Sequence, residues 1–251
     1  MRTSFVRTIS AIIFASPSFI FTGSVHAQSS DDAVHDLDFK QGDREIEFKA
    51  GTIDPRGSGR ESAMFLGIEY GMRDNWSMQL GATYRREPGH GLRFDALEWQ
   101  NKFRFLDTPD IPVKVGLLAE VKFPDDSDDG YRLVFGPLLQ KELSDVQLNF
   151  NLLFKRHLDE HPSQPTEMAY QLQAKYQLKE GLEVGVQGFG DVGEWDDWAP
   201  RSEQSHRFGP AVFGEFSLGS KRKLEYDAAY LTDPSSSARS HGVRLRVKYQ
   251  Y

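Results

Sequence analysis

The chain of 251 residues has no cysteine, a formal net charge of −7, 39% hydrophobic residues and a mean hydropathy of −0.53. These values exclude a helical membrane protein, and the negative charge argues against a nucleic-acid partner, whose phosphates call for a basic surface. They leave a β-barrel open, because half of every barrel strand faces a polar lumen.

Arg2 and Arg7 precede an apolar stretch from Ile9 to Phe21, broken by Ser16, Pro17 and Ser18, and Val25-His26-Ala27 supplies small residues before Gln28. This pattern predicts a secretory signal peptide over 1–27, cleaved after Ala27. An anchor helix fits less well, since the run falls short of the roughly 20 apolar residues of a span. Residues 28–43 are polar and acidic, with Asp31, Asp32, Asp36 and Asp38 and no sustained period. They predict a flexible periplasmic lead-in.

From Arg44 to Tyr251 the chain becomes a succession of segments alternating with period two, the mark of half-buried strands. Arg44–Gly51 sets Ile46, Phe48 and Ala50 against Glu45, Glu47 and Lys49. Ala63–Tyr70, Trp76–Arg85, Asp95–Phe105 and Val113–Phe123 follow. Their polar parities include Arg85, Glu98, Lys102, Arg104, Lys114, Glu120 and Lys122. Tyr131–Leu139 is mixed and contains Pro137, which cannot donate to a ladder. Val146–Phe154, Met168–Leu178, Leu182–Gly190, Arg207–Phe216 and Leu224–Tyr230 lead to the closing strand, Gly242–Tyr251.

An apolar parity of this kind could face a sandwich core or lipid. The connections favour lipid. Every second link is compact (Gly71–Asn75, Leu106–Pro112, Glu142–Asp145, Lys179–Gly181, Leu218–Arg222), and the intervening links are more polar and often longer. Short periplasmic turns alternating with larger external loops is the pattern of an outer-membrane barrel, whereas a sandwich has no reason to sort its loops. The expected fold is all-β: a single antiparallel transmembrane barrel of about twelve strands over 44–251, with both ends periplasmic.

The closing strand ends on Tyr249 and Tyr251, and so resembles the last strand of bacterial outer-membrane barrels, which serves there as an assembly signal. Tyr70-Gly71-Met72-Arg73-Asp74-Asn75-Trp76, Leu97-Glu98-Trp99-Gln100-Asn101 and Phe208-Gly209-Pro210 together are similar to a proteobacterial family of outer-membrane barrels. That family is labelled after the meta-cleavage pathway of phenol degradation. The resemblance implies an outer-membrane protein of channel type; handling of phenols does not follow from turn and strand residues.

Chemistry is sparse. Ser240-His241-Gly242 echoes a lipase set in the wrong order, without its Asn. Asp125, Ser127, Asp129 and Gly130 match the opening of a calcium loop, but Gly136 stands where a bidentate Glu is required. His90, His157, His161, His206 and His241 fall in or beside external loops and could make a rim site for Cu²⁺ or Zn²⁺. No catalytic set and no cofactor motif emerges. The sequence therefore predicts a narrow passive channel for small solutes, not an enzyme. The alternatives are a plugged barrel binding metal or lipopolysaccharide through its loops and, less favoured, a lipid hydrolase or acyltransferase. Expected partners are membrane lipid, lipopolysaccharide and the barrel-assembly machinery.

One lumenal feature is specific. Arg244, Arg246 and Lys248 of the closing strand should face Glu225 and Asp227 on one side and Glu45 and Glu47 on the other. Such a ladder would fix the register in which the barrel closes.

Overall fold

The computed structural model describes residues 32–55, 59–108, 111–126, 130–159, 163–219, 222–234 and 240–251. The expected signal peptide (residues 1–27), residues 28–31, His161, and Ser127 and Asp129 of the calcium-like loop lie outside the described residues.

Twelve strands follow one another: β1 (Arg44–Pro55), β2 (Glu61–Arg73), β3 (Trp76–Arg86), β4 (Arg93–Thr108), β5 (Ile111–Pro124) and β6 (Tyr131–Leu143) form one half. β7 (Val146–Leu158), β8 (Glu167–Lys179), β9 (Leu182–Glu194), β10 (Ser205–Ser217), β11 (Lys223–Asp233) and β12 (Ser240–Gln250) form the other. Each pairs antiparallel with its neighbour in sequence, and β12 pairs with β1 to close the barrel. Closure leaves no unpaired sheet edge, so every backbone group of the wall can be satisfied without water.

The strands run 11 to 16 residues, longer than the sequence pattern suggested. Pairing outlasts the apolar alternation because the backbone ladder continues past the apolar band. The links at the rim where β1 begins and β12 ends (the near rim) are two residues long in four cases, whereas those at the opposite, far rim span five to ten.

Period-two alternation sets the two faces. Leu66 and Ile68 are 55% and 58% exposed on the outside, while Phe65 beside them is buried inside. Aromatic pairs mark both ends of the outer band: Trp76–Phe103 and Phe216–Tyr226 toward the near rim, Tyr84–Phe94 and Phe123–Tyr131 toward the far rim. This is the girdle distribution of a membrane barrel.

Pro137 does not interrupt β6. It points outward, and the β6–β7 register resumes unshifted from Phe135↔Phe154 to Leu138↔Asn151 across the gap it leaves. The inward residues of β6 include apolar Val134 and Leu138, which is why that strand reads as mixed.

Residues 32–43 correct the sequence-based expectation of a flexible lead-in. They lie inside the barrel, with Ala33, Val34, Leu37 and Phe39 buried. The reason is complementarity: the lumen wall carries apolar patches and bases that this acidic, intermittently apolar segment fills.

Candidate functional site

The site is the lumen with the amino-terminal strap, residues 32–43, seated in it. At the near rim the strap is held by backbone: Gly42 N donates to Gly71 O at 2.8 Å and Gly71 N to Asp43 O at 2.9 Å. A side chain at Gly71 would collide with the Lys40 carbonyl, so glycine lets the strap lie against the wall there. From this anchor the strap rises toward the far rim without joining any β-ladder.

Wall side chains take the place of a ladder and satisfy its peptide groups. Arg104 Nη1 donates to Leu37 O at 2.8 Å, and Leu37 N donates to Gln140 Oε1 at 3.0 Å. Asn151 Nδ2 donates to His35 O at 3.0 Å, while His35 N donates to Gln171 Oε1 at 3.2 Å. Arg246 Nη1 reaches Val34 O at 3.1 Å.

Two apolar anchors complete the seat. Leu37 and Phe39 pack with Leu118, Val134, Leu138, Leu153 and Ala169. Val34 packs with Phe189, Ala211, Phe213, Ala229 and Leu231 on the opposite wall. Burying such side chains contributes roughly 1.5–3 kcal/mol each.

The strap's acids meet the wall's bases. Asp38 lies 2.6 Å from Lys114 Nζ, Asp36 3.2 Å from Lys248 Nζ, and Asp32 3.5 Å from Arg207. His35, half-buried among these groups, is lowered to about 3 by burial first and then by Lys49 and Lys102. Lys248 and Arg246 hold the Asp36 carboxyl well below the usual range against the opposing effect of burial.

The closing-strand bases sit as follows. In register, Asp227 faces Arg246 and Glu225 faces Lys248 across β11–β12; across β1–β12, Glu47 faces Lys248 and Lys49 faces Arg246. Asp227 accepts from Arg244 at 2.7 Å and from Arg246 Nε at 2.5 Å. Glu45 is 3.4 Å from Lys248, and Glu47 is 4.0 Å from Arg246, so the contacts to β1 run diagonally. Glu225 is paired with Lys223 rather than with the closing strand.

Other lumenal charges are paired around the wall. Lys102 is 2.9 Å from Glu69, Lys122 lies 2.5 Å from Glu98 and 3.5 Å from Glu120, and Arg85 is 3.3 Å from Asp95. Lys49 sits 3.9 Å above the Phe65 ring, a cation–π contact. That ring lies flat on the wall because Gly67 and Gly81 leave the space: a Cβ at Gly81 would come within 2.3 Å of it.

The described histidines are not brought together. His90 stays in its loop against Pro88 O, His206 is engaged by Tyr170 and Gln204 through its two ring nitrogens, and His157 and His241 occupy separate strands. Among the described residues no group of three His, Asp or Glu side chains is placed to hold a metal ion. The Ser240–Gly242 run is ordinary strand at the start of β12.

Below the strap, toward the near rim, a cavity of about 680 Å³ remains open, lined by Asp36, Glu69, Lys102, Asp227 and Lys248 among others. The lumen is thus wide at the near rim and filled at mid-height.

The sequence reading missed the strap and the apolar lumen wall. A usable signal exists in Val34, Leu37 and Phe39, isolated large apolar residues among Asp32, Asp36 and Asp38, upstream of a barrel with inward bases on its last strand.

No protein-family model and no curated protein matches the chain. Solved structures do. The crystal structure of the COG4313 outer membrane channel from Pseudomonas putida F1 superposes with a TM-score of 0.58 at 12% identity, covering 87% of this chain and 99% of that one. The NanC porin superposes with a TM-score of 0.55 at 9% identity, covering 82% of this chain and 100% of that one. At these identities the likeness is one of fold.

Proposed function

We propose that the chain is an outer-membrane channel for small solutes whose lumen is narrowed by its own amino-terminal strap. The observation that carries this reading is the strap's mode of attachment. It is held by side chains and by one backbone anchor at the near rim, never by a ladder, so it can withdraw as a unit and leave the wall intact. Twelve strands enclose more than the eight whose lumen side chains just fill, so withdrawal opens an aqueous path.

The channels and porins with the same fold support the reading, as does the family likeness of the turn motifs around Tyr70–Trp76, although no family match backs the label itself. The near rim is then periplasmic and the far rim external. Lipid and lipopolysaccharide surround the outer face, and the assembly machinery engages the strand ending at Tyr249 and Tyr251. The lumenal charges act by selecting solutes, not by catalysis.

Refolded protein in a planar bilayer should give small, ion-dependent conductance steps. A silent bilayer at all voltages, with protein that still shows the heat-dependent gel shift of a folded barrel, overturns the channel in favour of a permanently plugged barrel. Single cysteines at Gly89 and Trp195 should label on intact cells while one at Ser144 does not; labelling at Ser144 alone would invert the topology.

A further inference from the structure

Arg207 and Arg244 are buried inside the barrel toward its far rim, 5% and 4% exposed. In each, Nε and Nη2 have no hydrogen-bond partner. A guanidinium carries five N–H donors and no acceptor, so burial without an anion is costly. The two groups converge on one ring, with their Cζ atoms 6.0 and 5.7 Å from the Phe189 centroid. Arg207 stands directly across the β9–β10 ladder from Phe189. Arg244 comes from β12 over Ala229 and Ala211, which follow one another in register and are small enough to let it pass.

The neighbouring carboxylates have other donors. Asp227 is shared with Arg246, Asp191 accepts from Lys155 at 2.8 Å and Gly193 N at 3.2 Å, and Asp233 accepts from Ser205 Oγ at 3.1 Å and His206 N at 2.9 Å. The carboxylate facing Arg207 is Asp32, the first described residue of the strap, 3.5 Å from Nη2. That exceeds the 2.7–2.9 Å or so of a charge-assisted hydrogen bond. The strap therefore supplies the charge without the geometry.

We propose that Arg207, Arg244 and Phe189 form a binding site for a small organic carboxylate with an apolar body, and that Asp32 occupies it as an internal surrogate. A solute carboxylate takes the bidentate guanidinium contacts that Asp32 leaves unmade, its apolar part lies on Phe189, and Asp32 with its part of the strap is released. Solute entry and strap movement are then one competition. The proposal rests on the channel reading for the route by which solute arrives, but the binding step stands apart from conductance.

Equilibrium dialysis of labelled benzoate against the refolded full chain in detergent tests it, with benzamide as the neutral isostere. Asp32→Asn leaves the wall untouched and removes the competitor, so it should bind benzoate about tenfold more tightly than the natural chain. Benzamide should bind neither, and Arg207→Gln, checked for folding by its gel shift, should lose at least tenfold. Equal benzoate affinity with and without Asp32, no benzoate binding to Asp32→Asn, or benzamide binding as well as benzoate would each overturn the site. A silent bilayer with these binding results intact would overturn the channel alone.

Discussion

Truncating Leu37 to alanine should loosen the strap and leave the barrel wall as it is. Leu37 is 1% exposed and packs on Phe39, Leu118, Val134, Leu138, Leu153 and Ala169, while its peptide N–H and C=O remain free to bond Gln140 and Arg104 in the variant. Buried Leu→Ala changes cost about 2–5 kcal/mol, and the lower half of that range applies because the gap opens toward a wet lumen. A loss of about 2–3 kcal/mol raises the ratio of released to seated strap roughly 30- to 150-fold. Single-channel recording reads this as longer dwell in a high-conductance state, and limited proteolysis reads it as faster cleavage near residues 35–40. Leu37→Met, which conserves volume, should stay close to the natural chain. If Leu37→Ala matches the natural chain in both open fraction and cleavage rate, the apolar anchor does not hold the strap.

Asp227→Asn should weaken the barrel itself, because one buried carboxylate serves both Arg244 and Arg246. Orphaning two guanidiniums costs about 3–5 kcal/mol in a dry interior and less beside lumenal water. The temperature of the gel shift should fall by at least a few degrees, and an unchanged temperature would mean that these charges are simply hydrated. Acidification should release the strap. His35 lies lowered to about 3 in the seat against an ordinary value near 6.5, so seating is fully favoured above the free value and weakens as pH falls through about 6.5 toward 3. Asp36, held well below its usual range by Lys248, acts in the same direction as it protonates. Open fraction should rise as pH falls from 7 toward 4, and His35→Gln should flatten the upper part of that rise; a flat natural profile contradicts it.

The wall was legible because its information is local. Ile46, Phe48 and Ala50 alternate with Glu45, Glu47 and Lys49 whatever the rest of the chain does, and loop length sorted by parity separates a barrel from a sandwich. The facing of Asp227 with Arg244 or Arg246 could be counted from one hairpin, and the register sets it opposite Arg246. The strap was not legible, since its contacts carry no period and join residues far apart: Asn151 reaches His35 across 116 positions and Arg246 reaches Val34 across 212. The mixed reading of β6 was a partial sign of it. Val134 and Leu138 break the polar inward parity because they face Leu37 and Phe39 rather than water. The described histidines of the rim stay apart for a related reason: proximity to one rim does not bring side chains on separate strands and loops together, and Tyr170 and Gln204 already engage His206.

The most direct measurement compares the full chain with a variant lacking residues 32–39, which keeps every strand and the turn into β1 that Asp43 N closes on Lys40 O. Both are refolded and recorded in the same planar bilayer at equal salt. The deletion should retain the heat-dependent gel shift and conduct at least several-fold more per channel, since it empties the lumen at mid-height and opens the near-rim cavity to the far rim. Equal unit conductance from two folded proteins would contradict a lumen narrowed by the strap.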